Sequence, residues 1–279
     1  MTTATAEQQN GTAPSILGGW RPAKKTGMPT SGLFLIVGLE KSGKSALMAS
    51  APDSVLLELD KGDADHLAGR IVDIEAQSDG KTALNVFRDA FWEAMEDPKI
   101  KVVGIDTFNT LVNWIGQEIA ESHGLKSMLD RKEGVNGYGL WDELNAGVDA
   151  FINAAKSSGK IVVVAAHSKA PELDEDKRVV VPMGLDCYAK PSSKIAKRAD
   201  LIGYAYKKEV GGAQEYRLSF KGGPLGAWGS RVETLNDKEI KMDKKDPWGS
   251  LVAAANGVTA AAAPAPAEKK TEAKASKRK

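Results

Sequence analysis

Short apolar runs alternate with amphipathic stretches from residue 33 to about residue 166. Leu33–Val37 is an unbroken apolar run of strand length. Ser54–Leu59, Arg70–Ile74, Lys101–Asp106 and Lys160–Ala166 repeat the pattern, the first and third closed by acids at Asp60 and Asp106. Between them the apolar positions change to helical spacing: Leu84, Phe87, Phe91 and Met95; then Phe108, Leu111, Ile115 and Ile119; then Leu140, Leu144, Val148, Phe151, Ile152 and Ala155. Ser122 to Gly139 is polar and reads as a loop, and Gly159 sits where a helix ends. Strands alternating with helices predict an α/β fold with a mostly parallel central sheet and helices on both faces. The all-apolar 160–166 run fits a strand buried on both faces.

After His167 the pattern changes. The charged stretch Glu172–Arg178, followed by Val179–Val181, predicts a protruding hairpin or loop. Lys190–Arg198 reads as a short basic helix with Pro191 at its start. Asp200–Tyr206 and Glu215–Phe220, around Gly211-Gly212, predict a C-terminal β-hairpin extension. Trp228–Leu235 is a further candidate edge strand.

The first strand runs into Gly38-Leu39-Glu40-Lys41-Ser42-Gly43-Lys44-Ser45, which fits G-x-x-x-x-G-K-[ST], and helix formers from Ala46 follow. Strand, glycine loop and helix in that order are the context of a phosphate site. Glycines let the backbone wrap closely round an anion. The loop N–H groups and the helix N-terminus, from Gly38 through Ala46, would face the phosphates. Lys44 would neutralise their charge, and the Ser45 hydroxyl would hold Mg²⁺ beside ATP.

Ligands of parallel sheets lie beyond the carboxyl ends of the strands. The glycine loop, Asp60, Asp106 and His167 each close a different apolar strand, so the fold would gather them on one edge. Asp106 fits the Walker B role, a carboxylate bonded through water to Mg²⁺, with Thr107 a weaker partner for the same water. Asp60, at a strand end, is preferred over Glu58, within the strand, for polarising the attacking water. His167 could sense the γ-phosphate, and Lys169 follows it. Arg231 and Lys221 are candidates for reaching a neighbouring subunit's phosphate. Tyr138 and Trp141 could stack bases, and Lys190, Lys194 and Arg198 could track a phosphate backbone. Each of these last residues also has an ordinary structural reading.

The chain has 279 residues, 42% hydrophobic and 27% charged, with a net charge of +1. Six of its 38 basic and two of its 37 acidic residues lie from Pro264 onward, leaving 32 basic against 35 acidic elsewhere. Bulk charge therefore gives no case for nucleic-acid binding. The one cysteine, Cys187, excludes an intrachain disulfide and a thiolate metal cluster. No apolar run approaches a membrane span, and no signal peptide stands at the N-terminus, so a cytoplasmic location without membrane contact is expected. Residues 1–17 read as disordered, 18–250 as one nucleotide-binding domain, and 251–279 as a disordered Ala/Pro/Lys-rich basic tail, most marked from Asn256.

The ordered segments GLEKSGKS, VLLELDKG, KVVGIDTF, NGYGLWDEL, VVVVAAHSK and RADLIGY resemble those of phage-type RecA-like AAA ATPases, a group that includes Sak-type single-strand annealing and recombination proteins. The resemblance covers roughly residues 18 to 240. It implies a RecA-like P-loop NTPase core, Mg-ATP, single-stranded DNA as partner, a single-strand DNA-binding protein as a further partner, and a homo-oligomer. By the same resemblance Asp60 stands where such proteins carry a catalytic Glu, and His167 where they carry a polar sensor. Two other functions fit a P-loop. A small-molecule kinase would need an arginine-bearing lid, for which Leu173–Arg178 offers an Arg without a convincing helix. A nucleotide-gated helicase loader would bind ATP with little turnover.

Overall fold

The computed structural model describes residues 27–61, 64, 66–77, 80–170, 172–173, 179–181, 184–222, 226 and 228–258. The expected disordered segment 1–17, the charged tip 174–178 and the tail from residue 259 lie outside them.

The first half alternates as the sequence pattern predicts. β1 (Gly32–Gly38), α1 (Lys44–Ala49), β2 (Ser54–Glu58), β3 (Ile71–Asp73), α2 (Ala83–Glu96), β4 (Val102–Asp106), α3 (Phe108–Ser122), α4 (Gly137–Ser157) and β5 (Ile161–His167) follow in order. A short hairpin, β6 (Glu172–Leu173) with β7 (Val179–Val181), precedes α5 (Ala189–Arg198). Then come β8 (Leu201–Val210), β9 (Ala213–Ser219), β10 (Gly229–Ser230), β11 (Glu239–Met242) and α6 (Pro247–Ala255). The described residues form a main sheet in the order β11-β9-β8-β1-β5-β4-β2-β3, with β10 pairing β8. The strands from β8 to β3 are parallel, whereas β9 and β11 continue the sheet antiparallel. This is the α/β class expected, with the C-terminal hairpin closed at Gly211-Gly212.

Alternation along the strands divides the core in two. Leu33, Leu35 and Val37 of β1, with Val162 and Val164 of β5, face a core shared with α2, α3, α4 and α5. Phe34, Ile36, Val163 and Ala165 face the other core, where Leu47 and Met48 of α1 meet Trp248 and Leu251 of α6. The P-loop helix thus lies on the same face as the C-terminal helix.

Two C-terminal expectations are corrected. The 228–235 stretch gives only the two residues of β10, followed by a 3-10 turn at Glu233–Leu235; the edge strand is β11. The expected boundary between residues 250 and 251 falls inside α6, where Leu251 and Ala255 are fully buried. The signal for α6 was present, because Asp246-Pro247 is a capping residue followed by proline at the first helical position. Asp246 Oδ1 accepts from Gly249 N–H at 2.7 Å.

Candidate nucleotide site

Strand register assembles the site. Gly38, at the end of β1, pairs with His167 of β5 on one side and Ala205 of β8 on the other. Asp106, ending β4, pairs with Glu58 of β2. The carboxyl ends therefore line up along one edge, and the glycine loop turns over them into α1. Gly43 has φ 93°, a left-handed conformation natural to glycine. A Cβ on Gly38 would stand 2.2 Å from the Ala205 carbonyl oxygen and 2.8 Å from Ser42 Oγ, so only glycine fits where the loop leaves the strand.

Ser45 Oγ donates to Asp106 Oδ2 at 2.5 Å, joining the two motifs across 61 residues of sequence. Lys44 is 5% exposed, and its Nζ donates to the carbonyls of Gly38 (3.1 Å) and Leu39 (2.8 Å). Burial pushes the Asp106 carboxyl above the usual carboxylate range; the Ser45 hydrogen bond and the Lys44 and His167 charges oppose this, and the Asp60 charge adds to it. Lys44, Asp60, Asp106 and His167 thus share one electrostatic neighbourhood. They line the cavity unequally. A cavity of about 690 Å³ is walled by Glu40, Lys41, Gly43, Lys44, Ser45 and Ala46 of the loop and by Asp106, Thr107 and His167. Asp60 stands behind that wall: Oδ2 accepts from Thr107 Oγ1 at 3.0 Å and Oδ1 from Thr110 Oγ1 at 2.5 Å. Glu58 is buried, and its Oε1 accepts the Ala64 N–H.

His167 is positioned through its backbone. Its N–H donates to Asn109 Oδ1 at 2.9 Å, while Asn109 Nδ2 donates to the Asp186 carbonyl at 2.6 Å. Asn109→Ala leaves two backbone groups without these partners. We expect a loss of about 1–3 kcal/mol, read from the urea midpoint, together with reduced turnover as the end of β5 loosens.

The secondary candidates fall elsewhere. Arg231 pairs with Asp200 at 2.7 Å, and Asp200 also accepts the Leu33 N–H, which puts Arg231 at the amino edge of the sheet. Lys221 follows β9 as that strand runs away from the loop, and neither residue lines the cavity. The basic stripe on α5 is engaged with α4: Lys194 with Asp149, Lys190 with Asp142 at 3.8 Å, and Arg198 with Asn153 at 2.7 Å. Trp141 packs edge-on to Tyr188, centroids 4.8 Å apart, whereas Tyr138 is 86% exposed. Lys169 meets Asp186 at 3.6 Å.

The sequence matches the AAA domain family over residues 33–232, most of its length. The chain belongs to the AAA domain family. Two solved structures are similar at low identity. The flagellar accessory protein FlaH from Methanocaldococcus jannaschii is 13% identical with a TM-score of 0.41, covering 77% of this chain and 86% of that one. The KaiC-like protein PH0186 from Pyrococcus horikoshii OT3 is 10% identical with a TM-score of 0.46, covering 78% and 89%. Likenesses this distant say nothing about activity, and the fold stands on the strand order above. No curated protein matches the sequence.

This AAA domain suits a nucleotide with Mg²⁺. Ser42 Oγ, in the loop that would wrap the phosphates, is buried without a hydrogen-bond partner among the described residues. The buried Asp106 carboxylate is costly in its charged form and lies next to Ser45 Oγ, where a cation would offset that cost. Among the described residues no cluster of three or more His, Cys, Asp or Glu could hold a metal. A cation held by one carboxylate and phosphate oxygens is the arrangement Mg²⁺ favours. The cavity wall also includes His66, Leu67, Lys207, Tyr216, Met242, Asp243, Lys244 and Pro247, which the sequence pattern did not single out. They belong to the turn after β2, the β8–β9 hairpin, and the β11–α6 connection. No described helix is long and apolar enough to cross a membrane.

Proposed function

We propose that this AAA domain protein is a Mg²⁺-dependent ATPase that works with single-stranded DNA in phage-type recombination, strand annealing or repair. The observation that carries the ATPase part is the Ser45–Asp106 hydrogen bond directly beneath the glycine loop. Ser45 and Asp106 would hold Mg²⁺, which when bound withdraws charge from the phosphate oxygens. Lys44 supplies a fixed positive charge from within the loop, and the loop N–H groups hold the phosphates in place. Asp60, anchored by Thr107 and Thr110, orients water at the strand edge through Thr107. His167 sits level with Gly38, where a change in phosphate content would be felt by the segment after β5.

The DNA part rests on the resemblance of the ordered segments to Sak-type proteins. The α5 stripe adds no support to that part, since its residues are engaged with α4. By the same resemblance the protein works as a homo-oligomer, alongside a single-strand DNA-binding protein.

The test is phosphate release from Mg-ATP with and without single-stranded DNA, on wild type and on Lys44→Ala. Turnover that rises with DNA and vanishes in the variant is the expected result. Turnover indifferent to DNA, with no DNA binding, overturns the recombination role and leaves the ATPase. Phosphoryl transfer to a metabolite would favour a kinase. Tight ATP binding without turnover, with capture of a replication protein, would favour a loader.

A further inference from the structure

The phosphate end of the cavity is fixed by Lys44, Ser45 and Asp106, which leaves the opposite wall to be explained. There the polar loop meets an apolar surface. A Cβ on Gly43 would lie 3.1 Å from the Tyr216 ring and 3.7 Å from the Met242 methyl group, so both side chains stand against the start of α1. They are cross-strand partners, Met242 on β11 opposite Tyr216 on β9. Lys207, paired with Tyr216 on its other side, holds its Nζ 5.4 Å from the ring centroid. The wall is completed by Pro247, the first residue of α6.

The β11–α6 connection is held by its own hydrogen bonds and anchored to the far end of α1. Asp243 Oδ1 accepts from the Lys245 and Asp246 N–H groups at 2.7 and 3.2 Å, and Ser250 Oγ accepts the Asp243 N–H at 2.9 Å. The Trp248 N–H donates to Ser50 Oγ at the end of α1, at 3.1 Å. A second cavity of about 720 Å³ shares Ala46, His66, Leu67, Lys244 and Pro247 with the first, so the space continues along Pro247. β11, Met242 and Pro247 all lie beyond residue 232, where the family match ends.

We infer that Tyr216, Met242 and Pro247 form the nucleoside subsite, holding the base of the bound triphosphate by ring stacking and apolar contact. The inference rests on the nucleotide-binding part of the function proposed above. An aromatic face beside a thioether and a proline ring suits a flat heteroaromatic base, since apolar walls with few polar groups are what ligand pockets use for such parts. The β11–α6 segment is then the part of the chain that converts a polyphosphate site into a nucleotide site.

The test compares ATP with inorganic tripolyphosphate, each with Mg²⁺, by calorimetric titration of wild type, Tyr216→Ala and Met242→Ala. Tripolyphosphate keeps the phosphate contacts and lacks base and sugar. Each variant should lose about tenfold or more in ATP affinity, the scale of one stacked base contact, with tripolyphosphate affinity unchanged. Retained tripolyphosphate binding also reports that the variant loop is folded. Unchanged ATP affinity in both variants overturns the inference, as does an equal fall for both ligands, which would make these side chains mere props of the loop. Wild type binding neither ligand would instead overturn the nucleotide function itself, and this is visible before any variant is read.

Discussion

Lys44→Ala is expected to lower ATP turnover by at least about a hundredfold, the scale set by removing one preorganised group that faces developing charge. Nζ stands between the Gly38 and Leu39 carbonyls inside the loop, so its charge sits where phosphate oxygens would lie. No other described side chain of the loop offers a buried cation: Lys41, with φ 56°, is exposed. The chain should still fold, because β1, β5 and β8 meet through backbone pairs and the apolar side chains of both cores. Phosphate release and a circular-dichroism melt, run together, make the check. Turnover within threefold of wild type, in a folded variant, would remove Lys44 from the phosphate site.

Asp106→Asn should separate stability from activity. Turnover should fall by about a hundredfold or more, since the carboxylate that would hold Mg²⁺ is gone. Without nucleotide and Mg²⁺, the variant should nevertheless melt higher than wild type. Burial raises the Asp106 carboxyl above its ordinary value in the folded chain. Between the ordinary value, about 3.9, and the raised one, the folded state binds more protons than the unfolded state. Stability therefore falls as pH rises through that window. Asparagine carries no such charge, and its amide oxygen can still accept from Ser45 Oγ. The gain should amount to about 2–4 °C for each kcal/mol relieved. It should grow as pH rises from the ordinary carboxyl value and vanish well below about pH 4, where the wild-type carboxyl is protonated in both states. A scanning-fluorimetry series across pH, with and without Mg-ATP, gives both readings. An Asp106→Asn protein that melts lower at pH 7 in the absence of ligand would show that Ser45 and Lys44 outweigh burial.

Most of the parallel sheet and one wall of the site were legible before any coordinates. The five apolar runs became β1 to β5 because each is too short for a helix and is separated from the next by a turn or an amphipathic helix, and the terminal residues of parallel strands must then meet at one edge. Asp106 joined Ser45 for that reason. Asp60 reached the same edge but took its place behind Thr107, a distinction of side-chain direction that spacing does not encode. The α5 stripe illustrates a different limit. Lys190, Lys194 and Arg198 repeat at helical spacing, but the acids that face two of them come from α4, about 45 residues earlier in the chain.

The sequence by itself determined the glycine loop, the strand that carries it and the acid that answers it, because each is a local pattern with a local physical cause. Only the tertiary structure decided what stands opposite the loop. Tyr216, Met242 and Pro247 come from a hairpin strand, a four-residue edge strand and a helix start, and no local pattern says that the three will meet. They become a wall because β9 and β11 extend the sheet antiparallel past β8, and because α6 packs beside α1 on the same face. Contacts set by sheet extension and helix docking depend on long-range packing, which no short window of sequence contains.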